Sequence, residues 1–210
     1  MKVVVAGSRG AIGKMLVNKL IQSGYDVTAI VRKKEQLEDL KNENIHGILA
    51  DVSDLNSLLN ATKNADIVYF TAGSKGKNLI GVDQNGAINL AKAAIENKVQ
   101  RFVLLSSIYA GRPDEGPDEL RDYFHAKNIA DRFVESSELN YTIVRPGFLY
   151  NENAKNKIKT GEAFSGKESK ITREDVATIL LNVIKHENTI RKTFEVIEGK
   201  QPIKETLSEL

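Results

Sequence analysis

Short apolar runs alternate along this chain with longer stretches whose apolar residues recur every three or four positions. Residues 3–6 (Val-Val-Val-Ala) are continuously apolar, the pattern of a strand buried on both faces. Ile12, Leu16, Leu20 and Ile21 follow at helical spacing, and Gly24 ends that helix. Residues 27–31 predict a second strand, and the charged stretch 33–42 keeps Leu37 and Leu40 as an apolar stripe. Residues 47–50 predict a third strand, with Leu55, Leu58 and Leu59 marking a short helix after it. The fourth strand falls at 67–70, followed by a helix face of Ile88, Leu90, Ala91, Ala94 and Ile95. The fifth falls at 102–105, and residues 118–138 predict a helix with Phe124, Ile129, Phe133 and Val134 as its buried side. Residues 141–144 are the sixth strand. Strands separated by helix-length crossovers predict a parallel, doubly wound α/β sheet. Past Pro146 the pattern weakens. Residues 151–170 are polar and broken by Gly161 and Gly166, as in an extended hairpin or a mobile loop. Thr172-Arg173-Glu174-Asp175 has the form of a capping box opening a helix through Val176, Ile179, Leu180 and Val183, and residues 194–197 predict a seventh strand.

Composition narrows the class. The 210 residues are 41% hydrophobic and 28% charged, enough for one full core and unlike a disordered chain or a fibre. With no cysteine there is no disulfide, thiolate nucleophile or cysteine metal site, and His46, His125 and His186 are too dispersed in sequence to suggest a metal. A net charge of +2 without a basic run gives no reason to expect nucleic acid. No stretch approaches the ~20 apolar residues of a membrane span, and the apolar run at 3–6 is cut at once by Gly7-Ser8-Arg9-Gly10. The expectation is a cytoplasmic protein without a membrane partner, acting on a small molecule as a monomer or small homo-oligomer.

The chemistry begins at Gly7-Ser8-Arg9-Gly10-Ala11-Ile12-Gly13, directly after the first strand and opening the first helix. A helix N-terminus offers unpaired N–H groups and partial positive charge to a phosphate, and glycines let pyrophosphate approach the backbone. The second strand ends in Arg32-Lys33-Lys34, with no acid before Glu35. A ribose-binding carboxylate is therefore absent where NAD sites place one, and Arg32 with Arg9 suits a 2′-phosphate. The competing reading is a solvated helix start. The missing carboxylate also counts against an S-adenosylmethionine enzyme. Tyr123 and Lys127 lie four apart in a predicted helix and so share a face. Composition alone yields roughly 0.6 such pairs by chance. The informative feature is their place, one helix after Ser106-Ser107 at the C-terminal end of the fifth strand, the edge where open α/β sheets bind ligands.

Taken in order, Val5-Ala6-Gly7-Ser8-Arg9-Gly10-Ala11-Ile12-Gly13, Ala50-Asp51-Val52, Ala72-Gly73, Val82-Asp83, Leu105-Ser106-Ser107, Tyr123-x-x-x-Lys127, Arg145-Pro146-Gly147 and the stretch 172–177 resemble the short-chain dehydrogenase/reductase superfamily, most closely its small atypical, epimerase-like members. The resemblance covers nearly the whole chain and implies a single Rossmann-type domain over 1–210, with 148–210 contributing the substrate side. It implies NADP(H) held by Gly7 to Gly13, Arg32, Ala72, Gly73, Ser106, Lys127, Pro146 and Phe148. Asp51 and Val52 would face the adenine, although Asp51 reads equally as a helix cap. It implies Tyr123 as proton donor, Lys127 as the cation that lowers the tyrosine's pKa and holds the ribose, and Ser107 as the hydroxyl steadying the substrate oxygen, with Ser106 its alternative. The competing reading packs Tyr123 at the sheet edge with Lys127 solvated. Tyr109, Phe148, Tyr150 and Phe164 are candidates for an apolar pocket or for ordinary packing. Three functions fit: an NADP(H)-dependent oxidoreductase acting on a carbonyl or similar acceptor, a catalytically silent NADP(H) sensor, and a sugar-nucleotide epimerase. The last ranks third because only about 60 residues follow Pro146 to build a substrate domain.

Overall fold

In a computed structural model, described for all residues except Asn44 and Lys167, seven strands run parallel through the centre of the molecule. They are β1 (Lys2–Ala6), β2 (Asp26–Val31), β3 (His46–Leu49), β4 (Ile67–Phe70), β5 (Arg101–Leu105), β6 (Tyr141–Pro146) and, from the end of the chain, β10 (Lys192–Glu198). Their spatial order is β3-β2-β1-β4-β5-β6-β10, so the chain reverses direction across the sheet between β1 and β4. That reversal opens a crevice at the C-terminal ends of the strands. The central strands read as unbroken apolar runs because both faces are covered. On one face Val3, Val5 and Ala29 pack under α1 (Ala11–Gln22), α2 (Lys34–Asn42), α6 (Arg173–Val183) and α7 (Ile203–Ser208). On the other, Val4, Val68 and Phe70 pack under α3 (Leu55–Ala61), α4 (Asn85–Glu96) and α5 (Arg121–Glu135).

The Rossmann-type doubly wound sheet is as the sequence predicts, and the weakly patterned region holds the differences. Residues 151–170, of which Lys167 lies outside the described residues, do not form the local hairpin or the bare loop expected of them. Instead, β7 (Phe148–Tyr150) pairs with β9 (Lys170–Thr172) as a small parallel sheet. β8 (Lys157–Gly161) runs antiparallel to β10 and carries β11 (Gln201–Pro202) at its outer edge. These partners lie some 20–40 residues away or more, which local periodicity cannot encode. The predicted helix 118–138 is shorter than expected: residues Asp118–Leu120 form a tight 3₁₀ turn after Pro117, and α5 starts at Arg121. Ile129, expected inside, is 46% exposed. At 3.6 residues per turn it lies about 140° around the helix from Phe124, and the inward face is completed instead by Lys127 and Asp131. Before α4, residues Leu79–Gln84 form a π-helical turn that carries Val82 and Asp83 towards the sheet edge. The cap expected at α6 forms in part: Thr172 Oγ1 accepts the Asp175 N–H at 3.0 Å, but the Asp175 carboxylate takes the Thr172 hydroxyl at 2.8 Å in place of the Thr172 backbone N–H that a capping box would use.

Candidate active site

The glycine turn after β1 is built by close approach. Gly7 has φ +89°, and a Cβ on it would overlap the backbone of Thr71 and Ala72 at the end of β4. A Cβ on Gly13 would overlap the Gly7 carbonyl. The turn therefore presses α1 onto the sheet, and Ile12 seals it from the apolar side. Gly10 caps α1 without any side-chain hydrogen bond, and the first turn carries no acid. The leading N–H groups, beginning at exposed Ala11, thus keep their positive end free for an anion. Ser8 does not face this opening: its hydroxyl donates to the Ile30 carbonyl at 2.8 Å and ties the turn to β2.

A cavity of about 260 Å³ adjoins the turn, lined by Gly7, Arg9, Gly10, Arg32, Val52, Ala72 and Gly73 from the sequence reading. Ile30, Val31, Gln36, Ala50, Thr71, Lys75 and Val82 complete it. Arg9 reaches it while paired with Glu43 at 3.1 Å and Asp39 at 3.6 Å, and this contact holds the Glu43 carboxyl below its ordinary range. Arg32 is exposed and has no carboxylate within ion-pair distance among the described residues. Asp51 lies beside the cavity but is occupied, accepting from the Ser53 backbone at 2.9 Å and the Ser53 hydroxyl at 2.7 Å. Those bonds, and the nearby Arg32, lower its pKa. It is not the cap of α3, a role taken by Asp54.

Further along the same edge, beyond β5 and β6, Ser107 and Tyr123 are half-buried and adjacent. Lys127 stands one helical turn behind, 2% exposed, its ammonium donating to the Leu105 carbonyl at 2.7 Å. The competing picture of a solvated Lys127 does not hold. Burial pushes the Tyr123 phenol up to about 12, the Ser107 hydroxyl beside it pulls the other way, and Asp83 and Asp131 add to the rise. The Lys127 ammonium is engaged with a backbone carbonyl. Burial also lowers the pKa of Lys127, against the same two aspartates.

Ser106 and Ser107 separate cleanly. Ser106 is 4% exposed and points inward, donating to Asp131 Oδ2 at 2.8 Å. Only Ser107 faces the Tyr123 hydroxyl. Pro146 ends β6, its carbonyl accepting the Ile108 N–H at 2.8 Å. Phe148 is half-buried against a base of Ile108, Tyr109 and Phe124, where Tyr123 and Phe164 also rest. Tyr150 is elsewhere, donating to Glu198 at 2.6 Å. Asp83, Asp131 and Arg145 were given no role in the sequence reading. Asp83 and Arg145 sit inside quoted motifs, and Asp131 follows Lys127 at i+4, a spacing that puts it on the same face. Asp83 Oδ2 accepts the Ser74 N–H at 3.0 Å. Ser74 Oγ is buried there without a protein partner, a polar atom suited to a bound ligand's oxygen.

An uncapped helix N-terminus, a glycine cradle, two arginines and a hydroxyl-bearing far end together fit a dinucleotide. No three His, Asp or Glu side chains gather to hold a metal ion among the described residues, and none of the described helices is long and apolar enough to cross a membrane. The sequence profile of the NAD(P)H-binding family matches residues 7–187. YhfK of Bacillus subtilis, named an uncharacterized sugar epimerase, is 35% identical over 221 positions that span all of both chains. A solved structure from Bacillus halodurans bearing the name NAD-dependent epimerase/dehydratase matches at a TM-score of 0.93 and 34% identity, covering 100% of each chain. The oxidoreductase YlbE of Lactococcus lactis matches at 0.91 and 33%, covering 100% of this chain and 96% of its own. The chain belongs to the NAD(P)H-binding family, Rossmann-type proteins of oxidoreductase and epimerase character.

Proposed function

We propose that the protein is an NADP(H)-dependent oxidoreductase that reduces a small carbonyl or similar acceptor, with Tyr123 as proton donor. The observation that carries this reading is the adjacency of the half-buried Ser107 and Tyr123 hydroxyl side chains at the sheet edge that also holds the glycine turn. When bound, the nicotinamide supplies the hydride. Ser107 steadies the acceptor oxygen, and Tyr123 delivers the proton as charge develops there. A phenol raised to about 12 stays protonated at neutral pH, which is the state a donor needs. Lys127, behind Tyr123, would turn its ammonium from the Leu105 carbonyl to the ribose hydroxyls. Preference for the 2′-phosphate rests on Arg32, with no carboxylate within ion-pair distance among the described residues, and on the lack of an acid at the end of β2. Arg9 contributes once the phosphate displaces Glu43.

Titration of the protein with NADPH and NADH, followed by nicotinamide fluorescence, tests the cofactor half. NADPH should bind the tighter by at least about tenfold, and equal binding removes the role of Arg32. In the chemical half, Tyr123→Phe should lower carbonyl reduction by about 10²-fold or more without weakening NADPH. Unchanged turnover in that variant overturns the mechanism. The epimerase names of YhfK and of the Bacillus halodurans protein favour a second reading, in which the same Tyr123 moves protons on a sugar and the cofactor is not consumed. Stoichiometric NADPH oxidation with a simple carbonyl supports the first reading, and isomerisation of a sugar nucleotide with no net change at 340 nm (the NADPH absorbance) supports the second.

A further inference from the structure

Asp131 stands where three elements of the candidate site meet. It lies on α5 one turn beyond Lys127, and its exposure is 0%. One oxygen, Oδ2, accepts both the Ser106 hydroxyl at 2.8 Å and the Arg145 Nε at 2.8 Å. Ser106 is the neighbour of Ser107 beyond β5, and Arg145 is the neighbour of Pro146 at the end of β6. The carboxylate thus clamps the two strand ends that flank the far half of the cofactor crevice to the helix that carries Tyr123 and Lys127. Its other oxygen, Oδ1, is buried with no hydrogen-bond partner among the described residues. Arg145 is held on its outer side by Glu135 at 3.6 Å.

A buried carboxylate is a costly way to fasten three elements, since an apolar side chain of the same size would pack them without burying charge. An apolar contact, however, would not set the rotation of Ser106 or the height of Arg145, which directed hydrogen bonds to a charged group do. The charge also faces the Lys127 ammonium, opposing the effect of burial on that group.

We infer that Asp131 is the positioning residue of the nicotinamide end of the site, holding the strand ends that carry Ser107 and Pro146 in register with Tyr123 and Lys127. It is fully buried and acts through Ser106 and Arg145, so its role is positioning and not catalytic. The inference rests on the proposed cofactor reading. It requires that loss of Asp131 be felt at the nicotinamide end and not at the arginine-lined cavity beside β2, to which Asp131 contributes no lining residue.

The test compares two probes on the full chain. NADPH spans the crevice, whereas 2′,5′-ADP fills only the end near Arg9 and Arg32. With Asp131→Asn, nearly isosteric and uncharged, NADPH affinity should fall about tenfold while 2′,5′-ADP affinity stays within about twofold. The fluorescence gain of bound NADPH should shrink, and Asp131→Glu should restore part of it. Ser106→Ala, which removes one arm of the clamp, should shift the same ratio in the same direction and serves where Asp131→Asn does not fold. Parallel loss of both probes, as general destabilisation produces, overturns the inference, and so does an unchanged ratio. If the wild-type protein binds neither probe, the cofactor reading itself fails and this inference falls with it. A wild type that prefers NADH moves the comparison to NADH against AMP, with the same outcomes.

Discussion

Tyr123 and Lys127 share a face of one helix, yet they do not interact as their spacing suggests. Lys127 donates to the Leu105 carbonyl, and the phenol, raised by burial to about 12, keeps its proton. The sign of the pH dependence follows. Reduction uses the protonated phenol, so its rate should be flat through neutral pH with no alkaline fall below about pH 10. Oxidation uses the phenolate, whose fraction rises about tenfold per pH unit below the pKa, so the reverse rate should climb throughout. Initial rates in both directions from about pH 6 to 10 check this. A reduction rate that falls near pH ~8 would mean that Lys127 leaves Leu105 in the complex and acts on the phenol. At this scale the sequence supplied residue types and their order. It did not supply orientation, which is why Ser106 and Ser107 stood as alternatives until one was seen to turn inward to Asp131.

Elements were readable to the extent that their stabilising contacts are local or periodic. The Thr172 cap of α6 was visible because it depends on residues three apart. The structure adds what the cap is for: Asp175, fixed by Thr172, also accepts the N–H groups of Lys155 at 2.9 Å and Asn156 at 2.8 Å, anchoring the chain just before β8. Thr172→Ala should therefore cost about 1–2 kcal/mol, at the upper end for a cap because the site is fully buried. Denaturant unfolding measures it, and a loss under about 0.5 kcal/mol would show that the Asp175 anchor stands without Thr172. The inward face of α5 was misread for a related reason. Hydrophobic periodicity assigns apolar residues to the core, but two of the buried positions here are Lys127 and Asp131, and Ile129 was counted in their place. A helix that carries a site on its buried face weakens the signal that would orient it.

At the scale of the whole molecule α7 belongs to the core. α7 packs Ile203 and Leu207 into the same apolar cluster as Val176, Ile179 and Leu180 of α6 and Ile158 of β8. Leu207 is 0% exposed. Leu207→Ala should lower the unfolding free energy by about 2–4 kcal/mol and move a single transition seen by both far-UV circular dichroism and tyrosine fluorescence. A transition that stays in place would make α7 a dispensable appendage. Two kinds of information separate here. The sequence alone determined the alternation of strands and helices, the doubly wound class, the glycine turn at a helix N-terminus and the absence of an acid after β2. Each of these is written in neighbouring residues, through side-chain period, backbone freedom and charge. Tertiary structure decided the antiparallel edge built from residues 157–161 and 201–202, which serine faces Tyr123, the diversion of Lys127 to a carbonyl, and the meeting of Ser106, Asp131 and Arg145 on one oxygen. Those depend on contacts between residues far apart in the chain, formed only when the sheet is assembled, and no local pattern records them.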